Sequence, residues 1–346
     1  MIVAENDRSK AILDNIRPMP ELVKSSGSVQ RTILLHMHIF KNGGTTIDSV
    51  LEREFHEFFA TIHGPSDESI LSGAEIISLL NRHPSTHVIS SHHLRYPVPQ
   101  TQEYGFFDIC MLRHPLDRLH SMYRYLRETH ADEHPLRELA RTLDCGPFFH
   151  ACSEDYRAWL QNVQTTFLAG PLPIRNHASP LNAALARLED IALLGTTELF
   201  DQSLVTWEYL LYPAFPGISL HFLPQNITRH PGSSLQARLD AFRALCGPEL
   251  YDQLLALNKD DVALFDSATR EVTRRFLARP FCLDWLAEFR QRNARLEYLQ
   301  NHSLKSRCRA FMSRSQISSS LFEWGLEAFE PKHLSNGGRH FIAKPA

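Results

Sequence analysis

Between Lys41 and Thr46 the chain reads Lys-Asn-Gly-Gly-Thr-Thr, so a cation, two glycines and two hydroxyls stand together. Glycines let the main chain approach an anion closely. Where such a turn opens a helix, the first N–H groups point outward with the positive end of the helix dipole behind them. Thr45 and Thr46 add hydroxyl donors and Lys41 adds charge, so Lys41, Asn42, Gly43, Gly44, Thr45 and Thr46 form a candidate seat for a phosphate-like group. The same letters also suit an ordinary turn, because Asn-Gly-Gly is common turn material. A second constellation is Arg113, which ends an apolar run, with Ser121 two helical turns further on. A planar guanidinium fork beside a neutral hydroxyl donor suits a phosphate, and the same residues also suit an arginine paired with a carboxylate and a solvated helix serine.

The chain contains 19 histidines, so position must single out a general base. His92 and His93 directly follow the apolar run that ends at Ser91. Strand ends are where the site of an open α/β sheet collects, and imidazole titrates near neutrality. His36 and His38 would share one strand face and could bind a metal from there, but the sequence offers no further ligand, so packing is expected and no metal.

These residues need elements to hold them. Residues 32–39 form a short apolar run into the glycine turn, and Ile47, Val50, Leu51, Phe55 and Phe58 follow near helical spacing. This reads as strand, tight turn and amphipathic helix. Residues 87–91 and 106–112 are further buried-strand candidates, residues 190–195 a fourth and residues 217–223 a weaker fifth. Pro115 suits the first turn of a helix whose Leu116, Leu119, Tyr123 and Leu126 share a face. Strands alternating with helices predict an α/β fold, a three-layer sandwich with a central parallel sheet flanked by helices. The expected organisation is an N-terminal arm over residues 1–29, a main domain over 30–280, and peripheral helices with a tail over 281–346.

A net charge of -3 argues against a protein built to coat nucleic acid, so any anion site must be local. The six cysteines show no CxxC spacing, which disfavours a zinc ribbon or a thioredoxin-type motif and leaves free thiols as the expectation, with Cys145 and Cys152 as the pair an oxidising compartment could join. No apolar run has the roughly 18 to 20 residues of a membrane span, and the N-terminus lacks a signal-peptide order, so a cytoplasmic chain is expected.

Residues 38–46, His-Ile-Phe-Lys-Asn-Gly-Gly-Thr-Thr, resemble the 5'-phosphosulfate loop of sulfotransferases that use 3'-phosphoadenosine-5'-phosphosulfate (PAPS), particularly the carbohydrate branch with the heparan sulfate 2-O- and 6-O-sulfotransferases. Phe40 and Asn42 depart from that branch, where proline and threonine are usual. Residues 109–123 resemble the same family's 3'-phosphate segment, with Arg113 and Ser121 at its phosphate-holding positions and His114 replacing the usual aspartate. Weaker likenesses at residues 162–170, 194–200 and 225–228 extend the resemblance over residues 33–276 and suggest Thr228 as a further cofactor contact.

The resemblance implies a P-loop-NTPase-like fold and sulfuryl transfer from PAPS to an acceptor hydroxyl, releasing adenosine 3',5'-bisphosphate without a metal. Lys41 would stabilise the leaving group, and His93 would be the base, or His92 if the register slips by one. The acceptor implied is a glycan, with a protein tyrosine or small metabolite open. A nucleotide kinase or triphosphatase on the same turn is the second reading, but the pattern GxxxxGK[ST] is not met because the lysine precedes the glycines. A scaffold that binds anions without catalysis is the third.

Overall fold

The computed structural model describes residues 30–64, 66, 69–128, 135–170, 179–223, 234–302 and 339–342. β1 (Arg31–Met37) leads through the glycine turn into α1 (Gly44–Phe55), followed by β2 (Phe59–His63), α2 (Gly73–Arg82), β3 (Val88–Ser91), β4 (Tyr104–Leu112) and α3 (Pro115–Glu128). Next come α4 (Pro135–Thr142), α5 (Cys145–Asp155), α6 (Arg157–Leu160), α7 (Val163–Ala169), α8 (Pro180–Asp190) and β5 (Leu193–Thr196). The order closes with α9 (Phe200–Leu211), α10 (Leu235–Cys246), α11 (Pro248–Leu257), α12 (Lys259–Leu277), α13 (Cys282–Asn301) and β6 (Arg339–Ile342).

The strands pair in parallel in the order β5-β4-β1-β3-β2-β6, and helices cover both faces. This is the expected P-loop-like three-layer sandwich. β1 is its centre because Ile33, Leu34, Leu35 and Met37 are each at most 1% exposed, and full burial of such a side chain is worth roughly 1.5–3 kcal/mol. Alternation along β1 sends Ile33, Leu35 and Met37 to one core, with Leu80 of α2 and Leu264 of α12. Leu34 goes to the opposite core, where Ile47, Val50 and Leu51 of α1 pack with Trp207 of α9 and Phe289 of α13. A third cluster joins Leu119 and Met122 of α3 to Phe148 and Phe149 of α5 and Phe242 of α10.

Two strands escape the sequence pattern. β2 begins one short turn after α1, where His56 takes a positive φ of 47° and ends the helix. β6 pairs with β2 from a part of the chain where a loose tail was expected. Conversely, residues 217–223 are not a strand. Leu220 and Phe222 do alternate into the core, but the main-chain N–H groups of Ser219, Leu220 and Phe222 donate to the side chains of Glu54, Glu208 and Asn293 rather than to a ladder. Among the described residues the cysteines carry free thiols, and no helix is long and apolar enough to cross a membrane.

Candidate active site

The sheet brings the chemistry to one edge. β4, β1 and β3 are neighbours in register, with Met37 opposite both Cys110 and Ser91, so the segments that follow these three strands emerge side by side. They carry the Lys41–Thr46 turn, Arg113, and the His92–His93 pair. Carboxyl ends of central strands are where ligands bind in open α/β sheets.

The turn is tight because Lys41 and Gly43 both have positive φ, 66° and 80°, and Gly43 caps α1. The opening N–H groups of a helix have no carbonyl behind them, so those of Gly44 and Thr45 are free of intrahelical partners. Gly44 must lack a side chain here: a Cβ would lie 2.1 Å from the His38 ring. Thr45 is exposed, whereas Thr46 is buried. The Lys41 ammonium rests over the Tyr125 ring of α3, 4.0 Å from its centroid. Burial, with the charges of Arg113 and Arg124 added, lowers its pKa to about 8.

Asn42 corrects the expectation. Its side chain turns inward rather than toward a ligand, donating to the Met111 carbonyl at 2.9 Å and to Gln164 Oε1 at 2.8 Å. It is a brace between the turn and the end of β4. Gln164 completes the brace: its Oε1 also accepts the Arg113 N–H at 2.9 Å, and its Nε2 donates to the Arg113 carbonyl at 2.8 Å. The N-terminus of α7 that carries Gln164 is itself held by Asp261, which accepts from the N–H groups of Gln164 and Thr165.

Arg113 donates through Nε to Asp117 Oδ2 at 2.7 Å and through Nη1 to the main-chain oxygen of Lys41 at 3.0 Å. Asp117 also accepts from Arg238 of α10 at 3.0 Å, and Arg238 reaches Glu198 as well. Burial pushes the Asp117 carboxyl up, but the guanidiniums of Arg113 and Arg238 outweigh it and hold the group below its usual range. Ser121 sits half-buried one turn beyond Asp117 on α3. Asp117 and Gln164 were missed as site residues because their partners are set by the fold; for Asp117, spacing four residues from Arg113 was the available signal. Thr228 lies outside the described residues.

The two histidines differ. His92 Nδ1 lies 2.6 Å from the main-chain oxygen of His38, and its ring packs 4.0 Å from the His38 ring on the side of the turn. A carbonyl can only accept, so Nδ1 carries the proton and Nε2 keeps its lone pair. Burial first, and the neighbouring His38 second, lower its pKa to about 3, which keeps it neutral. His93 is 8% exposed, and its Nδ1 accepts the Gly64 N–H at 2.6 Å, so in the neutral ring Nε2 is the protonated nitrogen.

Behind the turn, Asp48 of α1 joins His36 and His38. Its carboxylate lies 2.7 Å from His36 Nδ1 and 2.8 Å from His38 Nδ1. Among the described residues this trio could hold a metal, with ligand atoms within 4.8 Å of one another. Its N···O separations are hydrogen-bond lengths, shorter than the edges that metal–ligand bonds of about 2.0–2.1 Å would set. Beside the site, a cleft of about 680 Å³ is lined by residues including Arg95, Arg157, Gln161, Asn162 and Thr166. Arg95 connects it to the histidines by donating to the His92 carbonyl at 2.6 Å while stacking over Phe167.

A family model described as the sulfotransferase family matches residues 30–267. An uncharacterised protein of Archaeoglobus fulgidus is 26% identical over 246 residues, an alignment covering 69% of this chain and 96% of the relative.

Proposed function

The chain belongs to the sulfotransferase family, and we propose that it moves a sulfuryl group from PAPS to a saccharide hydroxyl by in-line displacement. One observation carries the reading. Two elements suited to phosphates are locked together, by Arg113 on the Lys41 carbonyl at 3.0 Å and by Gln164 between Asn42 and Arg113, and a nucleotide phosphorylated at both 5' and 3' positions matches such a pair. Gly43, Gly44, Thr45 and Thr46 would hold the 5'-phosphosulfate, and Arg113 with Ser121 the 3'-phosphate. A kinase on the same turn would want an acid at the end of β4, where this chain has Arg113.

Sulfuryl transfer asks mainly for alignment and for neutralisation of developing charge. The acceptor oxygen bonds to sulfur as the bond from sulfur to the 5'-phosphate oxygen breaks, and that oxygen leaves with the electron pair. Lys41 supplies the compensating positive charge. The acceptor proton goes to a histidine, and the tautomers favour His92 over His93, since its Nε2 has the lone pair. The cleft at Arg95 and Arg157 is our candidate for the acceptor. A saccharide is chosen from the likeness of residues 38–46 to the carbohydrate-modifying branch.

A screen of hydroxyl acceptors with radiolabelled PAPS tests the reading. Label transfer should fall roughly 100- to 1000-fold in Lys41→Ala, the usual loss when a charge-stabilising donor is removed. Transfer that survives both Lys41→Ala and His92→Ala would overturn the mechanism.

A further inference from the structure

Resting on the reading of His92 above, we propose that Asp48 and His38 are positioning residues that hold His92 in the one tautomer able to take the acceptor proton. The device starts in β1, whose alternation turns His36 toward α1, and His38 continues on that side beyond the strand end. Asp48 Oδ1 accepts from His36 Nδ1 at 2.7 Å and from the Ser90 hydroxyl, and Oδ2 accepts from His38 Nδ1 at 2.8 Å. Burial opposes the charge on Asp48, but His36 and His38 outweigh it and hold the carboxyl far below its usual range. An ionised carboxylate only accepts, so both Nδ1 atoms must bear hydrogen.

The His38 ring is therefore clamped. Asp48 holds one edge, His36 stacks 5.1 Å away, and the opposite edge fills the space that a Cβ on Gly44 would need. With the ring wedged, the His38 main-chain oxygen is fixed against His92 Nδ1. Among the described residues no group bonds His92 Nε2. When the acceptor hydroxyl gives its proton to Nε2, His92 becomes a cation facing His36 and His38 of the β1 end and Asp48 of α1. Of these, Asp48 bears the negative charge that favours the cation, against burial and the His38 and His36 rings, which disfavour it. Arg95 meets His92 only through its carbonyl.

The test is nitrogen NMR of the full chain with isotope-labelled histidine and adenosine 3',5'-bisphosphate present, His92 being assigned by its loss in His92→Gln. Wild type should show His92 as a single neutral tautomer with the proton on Nδ1. Asp48→Asn and Asp48→Ala should shift it to a mixture of both tautomers, and Asp48→Glu should restore the single form. The proposal is overturned if wild-type His92 carries its proton on Nε2, or if the single tautomer persists in both substituted chains. Failure of the wild-type chain to bind adenosine 3',5'-bisphosphate would instead count against the sulfotransferase reading.

Discussion

The Arg113 guanidinium donates to the main-chain oxygen of Lys41 at 3.0 Å across 72 residues of sequence. The end of β4 and the glycine turn after β1 are thus one construction, and a change at either should be felt at the other.

Lys41 gives the pH dependence. Its pKa, about 8, lies below that of a free lysine, so the cation is present at neutral pH and lost as pH rises through that value. Affinity for adenosine 3',5'-bisphosphate, measured by calorimetry between pH 7 and 9.5, should weaken above about pH 8. In Lys41→Arg that decline should be absent, because guanidinium stays charged. An identical decline in both chains would remove Lys41 from the anion site.

Gly44→Ala should be costly out of proportion to its one carbon. The new Cβ would meet the His38 ring at 2.1 Å, so ring or turn must move, and overpacking of this kind costs roughly 1–3 kcal/mol. Urea denaturation reads the loss. Thr45→Ala, at an exposed position, should change stability by less than about 0.5 kcal/mol while weakening nucleotide binding.

Gln164→Leu removes the brace while leaving the Arg113 guanidinium and residues 43–46 themselves unaltered. Asn42 Nδ2 keeps its bond to Met111, but the Arg113 N–H and carbonyl lose their partner, and each buried polar group left unpaired costs roughly 1–3 kcal/mol. Both melting temperature and affinity for adenosine 3',5'-bisphosphate should fall. Unchanged affinity would mean that the two elements bind independently of each other.

Asp117→Asn should destabilise the fold at neutral pH by roughly 3–5 kcal/mol, the range for breaking a buried ion pair. The native carboxyl titrates below its unfolded value, so its contribution is full above the unfolded pKa of about 3.9 and is lost as pH falls through the lower native value. Denaturation curves of the two chains should therefore converge only in strong acid.

The glycine turn before α1 and the arginine after β4 were legible in the sequence because both are local patterns. The parallel sheet followed from alternating strands and helices. What the sequence hid is long-range. Asn42 looks like a ligand contact in a linear reading, and only the meeting with Gln164, 122 residues away, turns it into a brace. His36 and His38 lacked a visible third partner because Asp48 reaches them only when α1 folds back over β1. The choice between His92 and His93 turns on which nitrogen meets His38 or Gly64, a matter of one residue of register. Residues 217–223 have the apolar alternation of a strand, but side-chain acceptors take their N–H groups.

Calorimetry with adenosine 3',5'-bisphosphate and with adenosine 5'-monophosphate, on wild type and Arg113→Ala, tests the paired anion seat most directly. Wild type should bind the bisphosphate more tightly by at least about tenfold, a difference of about 1.4 kcal/mol, and Arg113→Ala should erase most of that preference. Equal affinities for the two nucleotides in wild type, or a preference untouched by Arg113→Ala, would contradict the account.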